Sequence, residues 1–156
     1  MPEIRSPATR GLRVAGHPIH AALSAFPIAF LSGSLLADGV ALVHDSALWW
    51  AHSFWLVVGG VGAAIPTALA GLLDYAAIAP GERALKTAVV HLTVMLGAVA
   101  CFAADLMFRA GPQPPHGVLR AATVALDAAG ALVLLIGGWL GGELVFSHGV
   151  GVARPK

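Results

Sequence analysis

Three short polar breaks divide an otherwise apolar chain. "HDS" at 44–46, "APGE" at 79–82 and "AGPQPPHG" at 110–117 separate four long runs in which charged residues are rare. A helix rises about 1.5 Å per residue, so about 20 apolar residues cross the ~30 Å hydrocarbon layer of a bilayer, and each run is long enough to do so. Within that layer only a helix or a closed barrel satisfies every backbone polar group. The runs therefore predict an all-α fold, a four-helix transmembrane bundle. Composition agrees. The chain is 58% hydrophobic and 11% charged, with a mean hydropathy of +0.82, whereas a soluble domain carries about 25% charged residues. The formal net charge of +1 gives no case for nucleic-acid binding.

Hydrophobic patterning predicts helices over Pro18–Val43, Leu48–Ala77, Glu82–Phe108 and Val118–Phe146. The domain organisation that follows is a polar tail over 1–16, a membrane domain over 17–150 and a short tail over 151–156. Pro18 suits a first helical turn, where its missing N–H costs nothing. Pro27 and Pro66 fall inside helices, where a membrane setting favours a kink over a break. The stretch from Met1 to Gly16 holds Arg5, Arg10 and Arg13 but no apolar core. The segment after it exceeds a signal-peptide core, so it reads as a retained helix. Cys101 stands alone in an apolar run and reads as a small buried hydrophobe.

Orientation follows from Lys and Arg. With four spans, both termini and the 78–83 turn share one side. That side holds Arg5, Arg10, Arg13, Arg83, Lys86, Arg154 and Lys156, against Arg109 and Arg120 opposite. Both termini are therefore expected in the cytoplasm. Trp49, Trp50 and Trp55 cluster near the far end of the second helix, as an interfacial belt would.

On this topology the ionisable residues fall into two layers. The cytoplasmic layer has His17, His20, Asp74, His91, Glu143 and His148; the opposite layer has Asp38, His52, Asp105, Asp127, Arg109 and Arg120. Intramembrane ionisable groups usually face a bundle interior or cavity. At about 3.6 residues per turn, His20 and Asp38 are separated by about five whole turns and His91 and Asp105 by nearly four. His52 and Asp74 fall near one face on the same count. Each of these helices is therefore expected to turn one polar stripe inward. A faint repeat is also present. His20 then Asp38 parallels His91 then Asp105, and Asp74 parallels Glu143. A duplication about an axis along the membrane normal would set His20 and His91 opposite each other at similar depth.

His17 and His20, at positions i and i+3, project from one side of a first helical turn. Imidazole is the commonest metal ligand among side chains, and bundle-core sites draw ligands from facing helices. Bland alternatives stand beside this. His17 suits the headgroup region, His20 a plain hydrogen bond to Asp74 or a carbonyl, and His148 the surface. His44 and His116 are loop residues, and His52 is interfacial. Asp74 suits a cap or a residue that orients a ligand histidine.

"GHPIHAALSAFPIAF" (16–30), "GLLDY" (71–75), the histidine of "VVHLTV" (89–94) and "GGELVFSHGVGV" (141–152) together resemble the bacterial membrane family called domain of unknown function 2231. The family opening usually reads G-H-P-x-H-P; here Ala21 replaces the second proline and leaves both histidines in place. The resemblance implies a four-helix membrane domain and a redox neighbourhood, since some members are joined to Rieske-type iron–sulfur domains. Cys101 alone offers no ligand set for such a cluster within this sequence.

Three readings follow. The first is a small b-type haem protein of the bacterial inner membrane, engaged in electron transfer with a partner protein or a quinone. His20 and His91 would be axial ligands, with His17 and His148 nearby. Gly71, Gly141 and Gly142 would give the macrocycle clearance, and Arg13 or Arg83 would meet the propionates. No C-x-x-C-H is present, so covalent c-type attachment is excluded. The second is a mononuclear or dinuclear zinc, copper or iron site drawn from His17, His20, His91, His148 and Asp74. The third is a cofactor-free structural or accessory protein. A homo-oligomer is compatible with all three. No serine stands in a nucleophile motif, and the sequence offers no catalytic set.

Overall fold

A computed structural model describes residues 11–151. Arg5, Arg10, Arg154 and Lys156, and with them most of both tails, lie outside the described residues. Four helices dominate: α1 Ile19–His44, α2 Ala47–Ala76, α3 Arg83–Arg109 and α4 Gly117–Phe146. Every boundary falls within one residue of the sequence expectation. All four are long and apolar enough to cross a membrane. The apolar side chains left on the outside, among them Phe26, Leu36, Trp55, Ile65, Leu132 and Trp139, form the surface that lipid would cover.

One element was not expected. A short antiparallel hairpin precedes α1, pairing β1 Arg13–Val14 with β2 His17–Pro18. Its tight turn places Ala15 at φ 49° and Gly16 at φ 81°, the pair of positive φ angles of the type I′ turn that suits the twist of paired strands. Ala-Gly is a weaker signal for that turn than Asn-Gly. Pro18 consequently caps α1 in an extended conformation instead of opening its first turn.

The buried positions follow a heptad. On α1 they include Pro27, Ser34 and Ala41, with Leu31 and Asp38; on α2, Trp50, Val57 and Ala64, with Ser53, Gly60, Thr67 and Asp74. Two positions per heptad make the seam of a left-handed bundle, whose effective repeat is about 3.5 residues per turn. At that repeat His52 and Asp74 no longer share a face. Asp74 is buried and His52 is exposed, its Nδ1 donating to its own helix at Leu48 O, 2.7 Å away. The inward stripe expected at His52 therefore passes through Ser53.

The chain packs as two helical hairpins, α1 against α2 and α3 against α4, which then meet through narrower α2–α3 and α1–α4 contacts. Leu31, Val57, Ala98, Phe102, Ala131 and Leu134 form the apolar centre. The halves match. Positions in α1 recur at a constant offset in α3, as Leu31 does at Phe102, and positions in α2 recur in α4, as Gly60 does at Gly130. Each of these glycines admits the matching large side chain of its own half. A Cβ on Gly130 would lie 2.8 Å from the Phe102 ring, and Gly60 meets Leu31 in the same way. The expected repeat is thus present, with a different register for its carboxylates. Asp38 corresponds to Arg109 and not to Asp105, which corresponds to Ser34. Asp74 corresponds to Leu144 and not to Glu143.

Candidate functional site

The first turn of α1 carries His20 against α2. Its Nδ1 lies 2.9 Å from Thr67 O. A carbonyl can only accept, so Nδ1 holds a ring hydrogen, and in the neutral ring Nε2 carries the lone pair. Gly71, one turn beyond Thr67, makes room for the ring. A Cβ there would lie 2.9 Å from both Cε1 and Nδ1 of His20. The second half repeats the arrangement. His91 Nδ1 donates to Gly137 O at 2.9 Å, and a Cβ on Gly141 would lie 3.2 Å from His91 Cε1. Both rings are half-buried.

The other expected residues go elsewhere. His17 is exposed on β2, with Nδ1 on Ala15 O at 3.0 Å. His148 Nε2 lies 3.2 Å from Thr87 Oγ1, beyond the end of α4. Asp74 accepts the Leu12 N–H at 2.8 Å and packs against Gly11, fastening the N-terminal hairpin to α2. Arg13 donates to Gly16 O at 2.6 Å and to Gly151 O at 3.2 Å, so it ties that hairpin to the turn after α4. Arg83 is exposed at the start of α3. Gly142 faces only Phe146 of its own helix. Among the described residues, no three of His, Cys, Asp and Glu stand close enough together to hold a metal ion.

As a test of fit, the imidazole pair has the donor chemistry of two axial ligands. Each ring hydrogen is held by a carbonyl, the outer contact that fixes a ligand imidazole's tautomer and orientation. The expected supporting residues fit less well. The space beside Gly71 and Gly141 is filled by the imidazoles themselves, and Arg13 is engaged with backbone carbonyls. Arg83 is the expected basic residue left exposed at that end.

At the opposite end a second polar cluster is fully buried. Arg109, on the last turn of α3, donates Nη1–H to Asp38 Oδ1 at 3.1 Å and Nη2–H to Asp38 Oδ2 at 2.5 Å. Its Nε–H goes to Asp105 Oδ2 at 2.6 Å. Asp127 Oδ2 stands 3.6 Å from Nη2, too far for a hydrogen bond, and Asp127 Oδ1 accepts from Ser34 Oγ at 2.9 Å. Ser53 Oγ donates to Ser34 O at 3.1 Å. The guanidinium groups of Arg109 and Arg120 lie 5.5 and 5.2 Å from the Trp50 ring centroid. Trp50 is 1% exposed, so it belongs to this cluster and not to an interfacial belt.

Sequence reasoning put Asp38, Asp105 and Asp127 in one layer. Arg109 was expected in that same layer, but not as the hub that binds Asp38 and Asp105. Ser34, Ser53 and Trp50 were not expected there. The heptad spacing from Ser53 to Gly60 and from Phe102 to Arg109 was the available signal.

The described helices and both polar layers lie within residues 16–154, over which the chain matches a family described as a predicted membrane protein, DUF2231. Comparison with curated proteins and with solved structures gives no match. The match takes in all four helices, the paired imidazoles and the buried arginine, and the chain belongs to the DUF2231 family of predicted membrane proteins.

Proposed function

We propose that this protein is a small b-type haem carrier engaged in membrane electron transfer, with His20 and His91 as its axial ligands. One observation carries the reading. Two imidazoles at matching positions of the two halves each commit Nδ1–H to a carbonyl of the neighbouring helix, at 2.9 Å in both cases. That leaves two Nε2 lone pairs, in similar environments, from opposite hairpins. A haem bound there would supply reversible one-electron chemistry, with its potential tuned by axial ligands and burial. The chain's own residues do the rest. Thr67 and Gly137 hold the rings by their carbonyls, and Gly71 and Gly141 let the rings approach the helix backbone. Arg83 is the exposed cation available to a propionate. In the same reading the bilayer is the bacterial inner membrane, both termini are cytoplasmic, and the electron partner is a membrane quinone or a redox protein. The zinc, copper or iron alternative draws no support from geometry, because His17, His148 and Asp74 bond away from the imidazole pair.

The test is an absorption spectrum with elemental analysis of the detergent-purified protein. The reading expects a red protein whose Soret band is lost in His20→Ala and in His91→Ala. A colourless protein with stoichiometric zinc or copper would favour the ion site. A colourless, metal-free protein that keeps its stability after both substitutions would favour a cofactor-free role.

A further inference from the structure

The cluster opposite the imidazoles has more carboxylates than cations. Asp38, Asp105 and Asp127 have no solvent exposure, and Arg109 is 4% exposed. Arg109 is their only cationic partner among the described residues. Arg120 reaches the Trp50 ring, but its hydrogen bonds go to the exposed Asp45, at 3.3 and 3.4 Å. With all three carboxyls ionised, the cluster would hold two uncompensated negative charges inside the bundle. Burying an unpaired charge is far costlier than binding a proton to neutralise it.

Among the described residues two buried carboxylate oxygens have no partner, Oδ1 of Asp105 and Oδ2 of Asp127, and the bonds from Arg109 distinguish them. Asp38 takes two bonds from Arg109 and Asp105 takes one. Asp127 takes none from it, although its Oδ2 is buried and has no partner when treated as an acceptor. That Oδ2 nevertheless faces the same Arg109 Nη2 that binds Asp38 Oδ2, at 3.6 Å against 2.5 Å, which sets the two carboxyl groups side by side. Two acceptors cannot satisfy each other, but an O–H on Oδ2 turns this unmatched contact into a donor and an acceptor. Oδ1 then remains the carbonyl oxygen, 2.9 Å from Ser34 Oγ, whose single hydrogen is shared between it and Leu31 O at 2.8 Å.

We propose that Asp38 and Asp127 form a proton-binding pair, with one exchangeable proton on Oδ2 of Asp127 donated to the Asp38 carboxylate. The groups that touch it are Ser34 of α1 and Arg109 of α3; Asp105 of α3 and Trp50 of α2 lie against Arg109, and Ser53 of α2 lies against Ser34. Loading transfers one proton from water to Asp127, and the pair falls from two negative charges to one. Arg109 then faces two carboxylates, Asp38 and Asp105, and the cluster carries one net negative charge in place of two. The ligand is the hydrated proton, and the inference does not depend on what His20 and His91 bind.

Infrared spectroscopy of the full chain in lipid nanodiscs at neutral pH tests this. The protein carries isotopic label at the aspartate carboxyl carbon, and spectra are taken in light and heavy water. The expected result is a carbonyl stretch of a protonated acid that moves with the label and on deuterium exchange. It should disappear in Asp127→Asn, which retains the shape, the acceptor for Ser34 and an N–H for Asp38. Ser34→Ala supplies an independent reading, because losing the bond to Oδ1 should raise the frequency of the same band. No protonated-acid band in the wild type would overturn the proposal. So would a band that persists in folded Asp127→Asn, or one that Ser34→Ala leaves unmoved.

Discussion

His20 and His91 each give one ring nitrogen to a carbonyl and keep the other free, and a single methyl group on the facing helix is enough to disturb this. Ala at position 71 would bring a Cβ within 2.9 Å of two ring atoms of His20. Overpacking of this kind costs about 1–3 kcal/mol, against a gain of about 0.5–1 kcal/mol from replacing helical glycine. Gly71→Ala is therefore expected to lower the thermal midpoint of the detergent-solubilised protein. Gly138→Ala, where nothing lies within 4 Å of the new Cβ, should leave it level or raise it. Equal effects at the two positions would mean that His20 does not pack where the structure has it. Arg109 is the more severe case. Removing one partner of a buried ion pair leaves uncompensated charge, at a cost of about 3–5 kcal/mol. Arg109→Gln should destabilise by that order, and adding Asp38→Asn should recover part of the loss. A double-mutant cycle showing simple additivity would contradict the coupling.

At the scale of elements, much of the architecture was legible because the bilayer allows so few solutions. Four apolar runs and three polar breaks define α1 to α4 to within a residue. Residues bearing on sites were harder to place. His52 was expected inward on a straight-helix count, but a supercoiled bundle follows its heptads, and the seam runs through Ser53 instead. Asp38 and Asp105 looked like equivalent halves of a repeat because both are acidic. Packing makes Asp38 equivalent to Arg109, and a duplicated position has become an ion pair. The carbonyls of Thr67 and Gly137 could not be read from side-chain chemistry at all, since any residue supplies a carbonyl. The N-terminal hairpin escaped notice for lack of a strong turn signal, yet it ties the start of α1 to the end of α2 and to the turn after α4. Asp74 fastens it at Leu12 N, and Arg13 fastens it at Gly151 O. Asp74→Ala removes the first tie and leaves a partly buried N–H without its acceptor, a loss of about 1–3 kcal/mol. Faster hydrogen exchange over residues 11–18, with protection of α1 to α4 unchanged, is the expected outcome. Equal loss of protection in the helices would show that the hairpin is integral to the bundle and not a strap on it.

The whole molecule is two similar helical hairpins joined face to face. Each closes on itself through a glycine that receives its own large side chain, and each presents an imidazole at one end. What joins them at the other end is polar: Arg109 with Asp38, and Asp127 with Ser34. Chains split within residues 79–81 and co-expressed should therefore reassemble and co-purify. Asp38→Ala in the first half should sharply reduce recovery of the second. Undiminished recovery would place the association energy in the apolar centre alone. His20 and His91 stand at matching positions of the two hairpins, and the functional reading depends on their meeting. Its most direct test is frozen-solution electron paramagnetic resonance of the oxidised, detergent-purified protein. The account predicts a low-spin ferric haem signal of two-imidazole ligation that is lost or becomes high-spin in His20→Ala and in His91→Ala but persists in His148→Ala. A folded protein with no haem signal, or a low-spin signal that survives both substitutions, would contradict it.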